Sequence, residues 1–169
     1  SDGTYTLLLK DSKKTYLFNT NGYLTSVLDR NSNRIDVTWN QANHISRLTI
    51  YYGPAVTRVI RFEYNSSGQC SKLVLPDGRY ASFGYDKGNL VKATDMAGYQ
   101  TIYQYNQHNF IISVATPTGT SQLIYRDLGS GVYAAQKIID PVGNDRTYST
   151  SEYWVVVTDA RGNSTSYLA

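Results

Sequence analysis

Between residues 34 and 105, apolar and polar side chains alternate in four short runs. Ile35, Val37 and Trp39 alternate with Arg34, Asp36 and Thr38, and Ile60, Phe62 and Tyr64 with Arg61 and Glu63. Ala81, Phe83 and Tyr85 alternate with Ser82 and Gly84, and Thr101, Tyr103 and Tyr105 with Ile102 and Gln104. A period of two sends the two sets to opposite faces of a β-strand. Each run ends on an aromatic residue followed by Asn or Asp (Asx). No stretch shows sustained helical spacing, so little or no helix is expected.

Aligned on that pair, five copies appear: Phe18-Asn19, Trp39-Asn40, Tyr64-Asn65, Tyr85-Asp86 and Tyr105-Asn106. They are spaced 21, 25, 21 and 20 residues apart. A near-constant period in this range marks a repeat architecture. The long interval holds Tyr51-Tyr52-Gly53-Pro54-Ala55, which reads as a lengthened hairpin end.

A reversal follows each pair. Gly22, Gly68 and Gly88 supply it in three copies, and Asn43 and Asn109 stand there in the other two. Gly and Asn enter left-handed backbone cheaply, and the Asx side chain can bond the turn backbone. The returning segment carries apolar residues three apart: Leu24/Val27, Ile45/Leu48, Cys70/Leu73, Leu90/Ala93 and Ile111/Val114. A regular strand would put such partners on opposite faces, so a bulge, or the turn itself, is expected to absorb one residue. A second reversal is marked by Asp-x-x-Gly at Asp95–Gly98, Asp140–Gly143 and Asp159–Gly162. Asp29-Arg30-Asn31-Ser32 carries Ser in place of Gly, and Pro76-Asp77-Gly78 and Pro117-Thr118-Gly119 read as abbreviated forms. After Gly119 the register loosens, and Tyr125-Arg126-Asp127 is a degenerate candidate for a further aromatic-Asx pair.

These features predict an all-β protein of about seven successive antiparallel hairpins forming a curved, twisted sheet. Residues 1–169 read as a single array, with clear repeats over about 16–119 and degenerate ones over about 120–169. The structural anchors are the ten residues of the five pairs together with Gly22, Gly68, Gly88, Gly98, Gly143 and Gly162. A single hairpin is marginal in water, so neighbours must stack to bury the shared face. Edge strands at the two ends carry a risk of edge-to-edge self-association.

Composition sharpens this picture. Sixteen Tyr and 13 Gly stand against one Met and one Cys, a profile that suits half-buried pleated surfaces. The net charge is +3, but the cations are scattered, so no nucleic-acid surface is expected. Cys70 is alone and sits in the apolar series, which suits a small buried hydrophobe. The run Tyr153–Val157 is far too short to span a bilayer. The opening Ser1-Asp2-Gly3-Thr4 reads as the middle of a longer protein, so a signal peptide would lie outside it.

The order Tyr85-Asp86, Gly88, Leu90, Ala93, Asp95, Gly98, Tyr105-Asn106 resembles the YD repeat, also called the RHS repeat. The resemblance is strong from Tyr16 to Gly119 and returns over Asp140 to Tyr148 and Asp159 to Tyr167. Proteins with this repeat include bacterial RHS polymorphic toxins, B and C components of insecticidal ABC toxin complexes, wall-associated contact toxins and animal teneurins. The resemblance implies long hairpin arrays that spiral into a hollow shell, which in the bacterial members encloses a C-terminal toxin. Asp140-Pro141-Val142-Gly143 is similar to an Asp-Pro-x-Gly element of the family's self-cleaving region. The surrounding pattern is absent, so no catalytic residue carries over.

No nucleophile elbow, phosphate loop, dinucleotide fingerprint or metal-ligand spacing is present. His44 and His108 sit beside turns and read as exposed turn residues. The recurrent Asp29, Asp95, Asp140 and Asp159 read as turn stabilisers, since a calcium loop needs several converging oxygens. The expected function is that of a non-enzymatic structural segment, without cofactor or metal, in a secreted or surface-exposed shell. Its partners would be neighbouring repeats and an enclosed toxin domain. The alternative is a binding module for glycan or a cell-surface protein, with Tyr51, Tyr52, Tyr99, Tyr103, Tyr125 and Tyr153 as candidate stacking residues. Asn65-Ser66-Ser67 and Asn163-Ser164-Thr165 match the N-glycosylation pattern, as chance allows in so polar a chain.

Overall fold

The computed structural model describes residues 3–150 and 154–168. The chain divides into two compact units, residues 1–83 and 84–169. Both are built from antiparallel strands joined by short reversals, the all-β organisation that the alternation predicts.

In the first unit the strands are β1 (Tyr5–Leu9), β2 (Lys14–Phe18), β3 (Leu24–Leu28), β4 (Arg34–Trp39), β5 (Ile45–Tyr52), β6 (Ala55–Tyr64) and β7 (Cys70–Val74). The boundary between the units falls inside β8 (Tyr80–Asp86). Each strand pairs with its neighbour in sequence, from Tyr5↔Phe18 between β1 and β2 to Val74↔Tyr80 between β7 and β8. The second unit continues with β9 (Asn89–Thr94), β10 (Gln100–Tyr105), β11 (Ile111–Thr116), β12 (Gly119–Gly129), β13 (Val132–Ile139), β14 (Asp145–Thr150), β15 (Trp154–Thr158) and β16 (Ser164–Leu168). It follows the same neighbour-to-neighbour order, from β9–β10 to β15–β16. Sixteen strands among the described residues make seven successive hairpins, β2–β3 to β14–β15, flanked by β1 and β16, the number that the spacing of the aromatic-Asx pairs predicts.

The pairing register breaks once beside the terminal aromatic in four of the clear hairpins, at Phe18, Trp39, Tyr64 and Tyr105. Leu17 faces Ser26 but Phe18 faces Leu24, so Thr25 is extra. Ser46, Ser71 and Ile112 are extra in the same way opposite Trp39, Tyr64 and Tyr105. This is the residue-absorbing bulge that the three-residue apolar spacing requires. Leu24 and Val27 now face Phe18 and Tyr16, two residues apart on one strand, and therefore share a face. Ile45/Leu48, Cys70/Leu73 and Ile111/Val114 are brought together likewise.

In the first unit the anchor face therefore carries Tyr16, Phe18, Leu24, Val27, Ile35, Val37, Trp39, Ile45 and Leu48. Its reverse carries Ser26, Arg34, Asp36, Thr38, Arg47 and Thr49. On the reverse, the Ser26 hydroxyl donates to Asp36 across the strand pair, and Arg34 Nε lies 3.0 Å from the same carboxylate. Ser26 and Thr49 are the most enclosed side chains among the described residues, and no apolar side chain there is fully buried. Most apolar residues of the anchor face are half-buried by their neighbours, and Ile35 is exposed.

One hairpin in each unit is longer than the rest. β5 and β6 extend to a reversal at Gly53-Pro54, with Gly53 at φ 58, the sign that the first position of a type II′ turn needs. This is the lengthened hairpin end that the 25-residue interval announces. In the second unit β12 and β13 extend to Ser130-Gly131, both at positive φ.

β12 starts at Gly119, where φ is +139 and an added Cβ would stand 2.5 Å from Pro141 Cβ. Backbone and space both demand glycine there. Gly119→Ala is expected to lower unfolding free energy by about 1–3 kcal/mol. A urea titration of the variant beside the parent chain measures this, and an unchanged midpoint would show that Pro141 yields without cost.

Candidate functional site

The working element of this structure is the junction where one hairpin meets the next, and it is assembled from four parts. The first is the turn. The Asn19 N–H donates to the Tyr23 carbonyl, the Gly22 N–H donates back to the Asn19 carbonyl, and Asn19 Oδ1 accepts from the Asn21 and Tyr23 N–H groups. The same four bonds recur at Asn40, Asn65 and Asn106, which follow the anchor aromatics. They recur at Asp29, Asp95, Asp140 and Asp159, which link successive hairpins. The two kinds of reversal inferred from sequence are thus one structure used at both ends of the hairpin.

The residue three places after the Asx takes left-handed geometry. Ser32 does so at φ 64, Asn43 at φ 59 and Asn109 at φ 62, so Ser fills the role as Gly does. The Pro76-Asp77-Gly78 turn is full-length, not abbreviated. Leu75 makes its backbone bonds, and Asp77 Oδ1 accepts the Arg79 N–H in place of the missing Asx. The fourth copy departs in the other direction: Asp86 stays in its strand, and Lys87 (φ 48) and Gly88 (φ 86) alone reverse the chain. Gly88 is therefore not the equivalent of Gly22 and Gly68.

The second part is the bulge and the third is the aromatic donor. The Trp39 indole N–H donates to the Leu24 carbonyl at 2.8 Å, and the Tyr64 hydroxyl to the Ile45 carbonyl at 2.7 Å. The Tyr105 hydroxyl donates to the Leu90 carbonyl at 2.8 Å. In every case the acceptor is the first apolar residue of the preceding hairpin's returning strand. Leu24 and Ile45 stand directly before the bulged Thr25 and Ser46. A bulge disrupts the ladder locally and leaves backbone groups in need of partners. The bulged residues add a bond of their own: Thr25 and Ser46 hydroxyls donate to the Leu17 and Thr38 carbonyls, both at 3.1 Å.

The fourth part is a stack. The residue that follows the left-handed position lies against the anchor of the next hairpin. Tyr23 meets Trp39 at a centroid distance of 4.9 Å, His44 meets Tyr64 at 4.6 Å, and Phe110 meets Tyr125 at 5.1 Å. His44 is therefore half-buried in a ring stack, not an exposed turn residue as its position in sequence suggests. His108 is exposed, with the Tyr133 hydroxyl 3.0 Å from its Nε2. Burial raises the Tyr64 hydroxyl pKa above its usual value, with Cys70 adding to the shift. Tyr125 occupies an anchor place: the register breaks beside it, and it faces Ala135 as Tyr64 faces Cys70. It is the sixth member of the series, and the Asp127 two places on is its displaced Asx.

The other tyrosines singled out from sequence do not converge. Tyr51 lies under the Arg34 guanidinium at 4.2 Å. Tyr52 and Tyr99 stand out at 65% and 62% exposure. Tyr103 is half-buried and lines a cleft in the second unit. Tyr153 lies outside the described residues.

The turn aspartates spend their oxygens locally. Asp29, Asp140 and Asp159 each accept the side-chain amide of the Asn four places on, Asn33, Asn144 and Asn163, at 2.8–3.0 Å. That bond is the leading cause that holds the three carboxyls below their usual range; at Asp77 the backbone N–H of Arg79 leads. Among the described residues, no three His, Cys, Asp or Glu side chains gather as a metal site would need. The Asp-x-x-x-Asn spacing is visible in the sequence, and the bond across the turn gives it a function.

The sequence matches the teneurin YD-shell family over residues 4–165. Among curated proteins none matches. Among solved structures, the chain superposes on TcdB2-TccC3 with TM-score 0.66 at 12% identity, and on TcdB2-TccC3 without its hypervariable C-terminal region with TM-score 0.65 at 13%. A Photorhabdus luminescens Tc holotoxin pore gives TM-score 0.58 at 13% identity. Each match takes in 98% of this chain and 11% of the other. At such identities the likeness is one of fold.

The lowered carboxyl pKa values set an acid response. A carboxyl whose folded pKa lies below its unfolded value stabilises fully above about pH 4 and stops doing so as pH falls through the folded pKa. Urea midpoints are expected to hold level through neutral pH and fall on acidification below that point. A D29N/D140N/D159N variant keeps the turn acceptor, as Asn19 and Asn40 do, and is expected to fall less. Equal acid dependence in variant and parent would contradict the assignment.

Proposed function

The chain belongs to the teneurin YD-shell family, and from that premise we propose that it is a non-enzymatic structural segment of a secreted or surface-exposed shell enclosing a toxin domain. The observation that carries this reading is the exposure pattern. No apolar side chain among the described residues is fully buried, and all five residues of β1, Tyr5 to Leu9, are exposed. A protein working alone hides such a strand or blunts it with charge. A wall segment leaves it for the adjoining repeats of the same polypeptide. The proposal treats residues 1–169 as one array and gives them the neighbouring repeats and the enclosed domain as partners.

The experiment uses the natural full-length protein. Hydrogen exchange is expected to find the β1 amides strongly protected there and fast in the isolated 169-residue chain, and limited proteolysis to spare the enclosed domain until the shell is opened with denaturant. Fast β1 exchange in the full-length protein, or a domain cut as readily before opening as after, would overturn the reading.

A further inference from the structure

The reverse face of the first unit holds a charge pairing that the other strands of that unit avoid. Arg47 on β5 stands directly opposite Arg61 on β6, which puts their Cβ atoms about 5 Å apart. Among the described residues, no other strand register of this unit sets like charges against each other. Directly opposed like charges cost stability. Both side chains are exposed, and neither makes a hydrogen bond or ion pair among the described residues.

The remaining charges on this face of β4–β7 do not offset the pair. Asp36 is taken by Arg34 Nε and the Ser26 hydroxyl, and Arg34 also covers the Tyr51 ring. Glu63 stands directly opposite Lys72, whose Nζ lies 4.1 Å over the Tyr80 ring. Arg34, Arg47, Arg61 and Lys72 thus outnumber Asp36 and Glu63, and the surplus is positive. Two half-buried apolar side chains flank Arg61 on the same face. Val74 is directly opposite it, and Val59 lies two places earlier on its own strand.

We propose that this face docks an acidic protein segment, with Arg47 and Arg61 each taking one carboxylate of a neighbouring pair and Val59 and Val74 meeting the apolar side chains beside it. A guanidinium presents a planar fork that matches a carboxylate through two parallel bonds. The partner's charge turns the repulsion between the arginines into attraction for the partner. Other occupants fit less well. A free small anion would gain the two forks from this open surface and leave the valines uncovered. A nucleic-acid strand needs cations repeated along a track, whereas Arg34 and Lys72 are committed to rings. A second copy of this chain would bring the same positive surplus to the contact. The inference does not depend on the shell assignment.

The test follows backbone amide shifts of the isotope-labelled protein at constant ionic strength. The probes are the peptide Gly-Ser-Leu-Glu-Glu-Leu-Ser-Gly, its counterpart with Gln-Gln for Glu-Glu, and inorganic phosphate. The acidic peptide is expected to move amides of residues 45–49 and 59–63, and the Gln counterpart to bind about ten-fold more weakly. Arg47→Gln and Arg61→Gln should each weaken the acidic peptide about five-fold. Both variants should unfold at the parent's urea midpoint or above it, because the repulsion leaves with the charge. Arg58→Gln, exposed on the anchor face of the same strand as Arg61, should leave binding unchanged. No shift with the acidic peptide, shifts confined to other strands, phosphate binding as tight as the peptide, or binding indifferent to both arginine variants would each overturn the proposal. So would a lowered midpoint in both variants, which would show the pair serving the fold instead of a partner.

Discussion

One hydrogen bond, made across the boundary between hairpins, organises the rest of this structure. Its acceptor is a main-chain carbonyl at the head of a returning strand, and its donor is the ring N–H or O–H of the aromatic that closes the following hairpin. Trp39, Tyr64 and Tyr105 make it with the same geometry, and an indole substitutes for a phenol without changing the acceptor's place. For Trp39 and Tyr64 the acceptor carbonyl stands directly before a bulged residue. An extra residue opposite the aromatic brings two aliphatic side chains to one face and unsettles the ladder where the carbonyl needs a partner.

This arrangement suits a single layer. A protein with two packed layers can rely on a sealed core, whereas here no apolar side chain among the described residues is fully buried. Cohesion must then come from many equivalent small contacts between adjacent repeats, the additive regime of repeat proteins. Directional bonds and ring stacks fix the register in a way that aliphatic contact alone would not. The Asx turn contributes to the same end, since a backbone loop whose polar groups are satisfied internally asks nothing of its surroundings.

Much of this was legible in the sequence, and the reasons differ from residue to residue. The alternation at Ile35–Trp39 announced a strand and its inward face, and the three-residue step from Leu24 to Val27 announced the bulge. The hydrogen-bond acceptors were not legible, because a carbonyl belongs to every residue and carries no side-chain signature. The stack of His44 on Tyr64 was hidden for a related reason: a histidine after a turn looks exposed until the next hairpin is laid beside it. Tyr125 looked degenerate because its Asx is displaced, yet its register and its contact with Phe110 give it the place of an anchor. The exception at Asp86 could have been read by counting. Leu90 stands five places after Tyr85, whereas Leu24 stands six places after Phe18 and Cys70 six after Tyr64. Pattern matching on Tyr-Asp and Gly concealed a difference that changes what the carboxylate is free to do.

The measurement closest to the central claim is the unfolding free energy of Tyr64→Phe, Tyr105→Phe and the double variant. Each loses one hydroxyl and almost no apolar surface, so each isolates the bond between hairpins from the stack beside it. The account predicts a loss of about 1 kcal/mol for each single variant and close to the sum for the pair, since the two bonds lie far apart in sequence and share no partner. Stabilities that match the parent chain in all three would mean that stacking and turns alone hold the repeats in register, and that the donor-to-carbonyl bond is incidental.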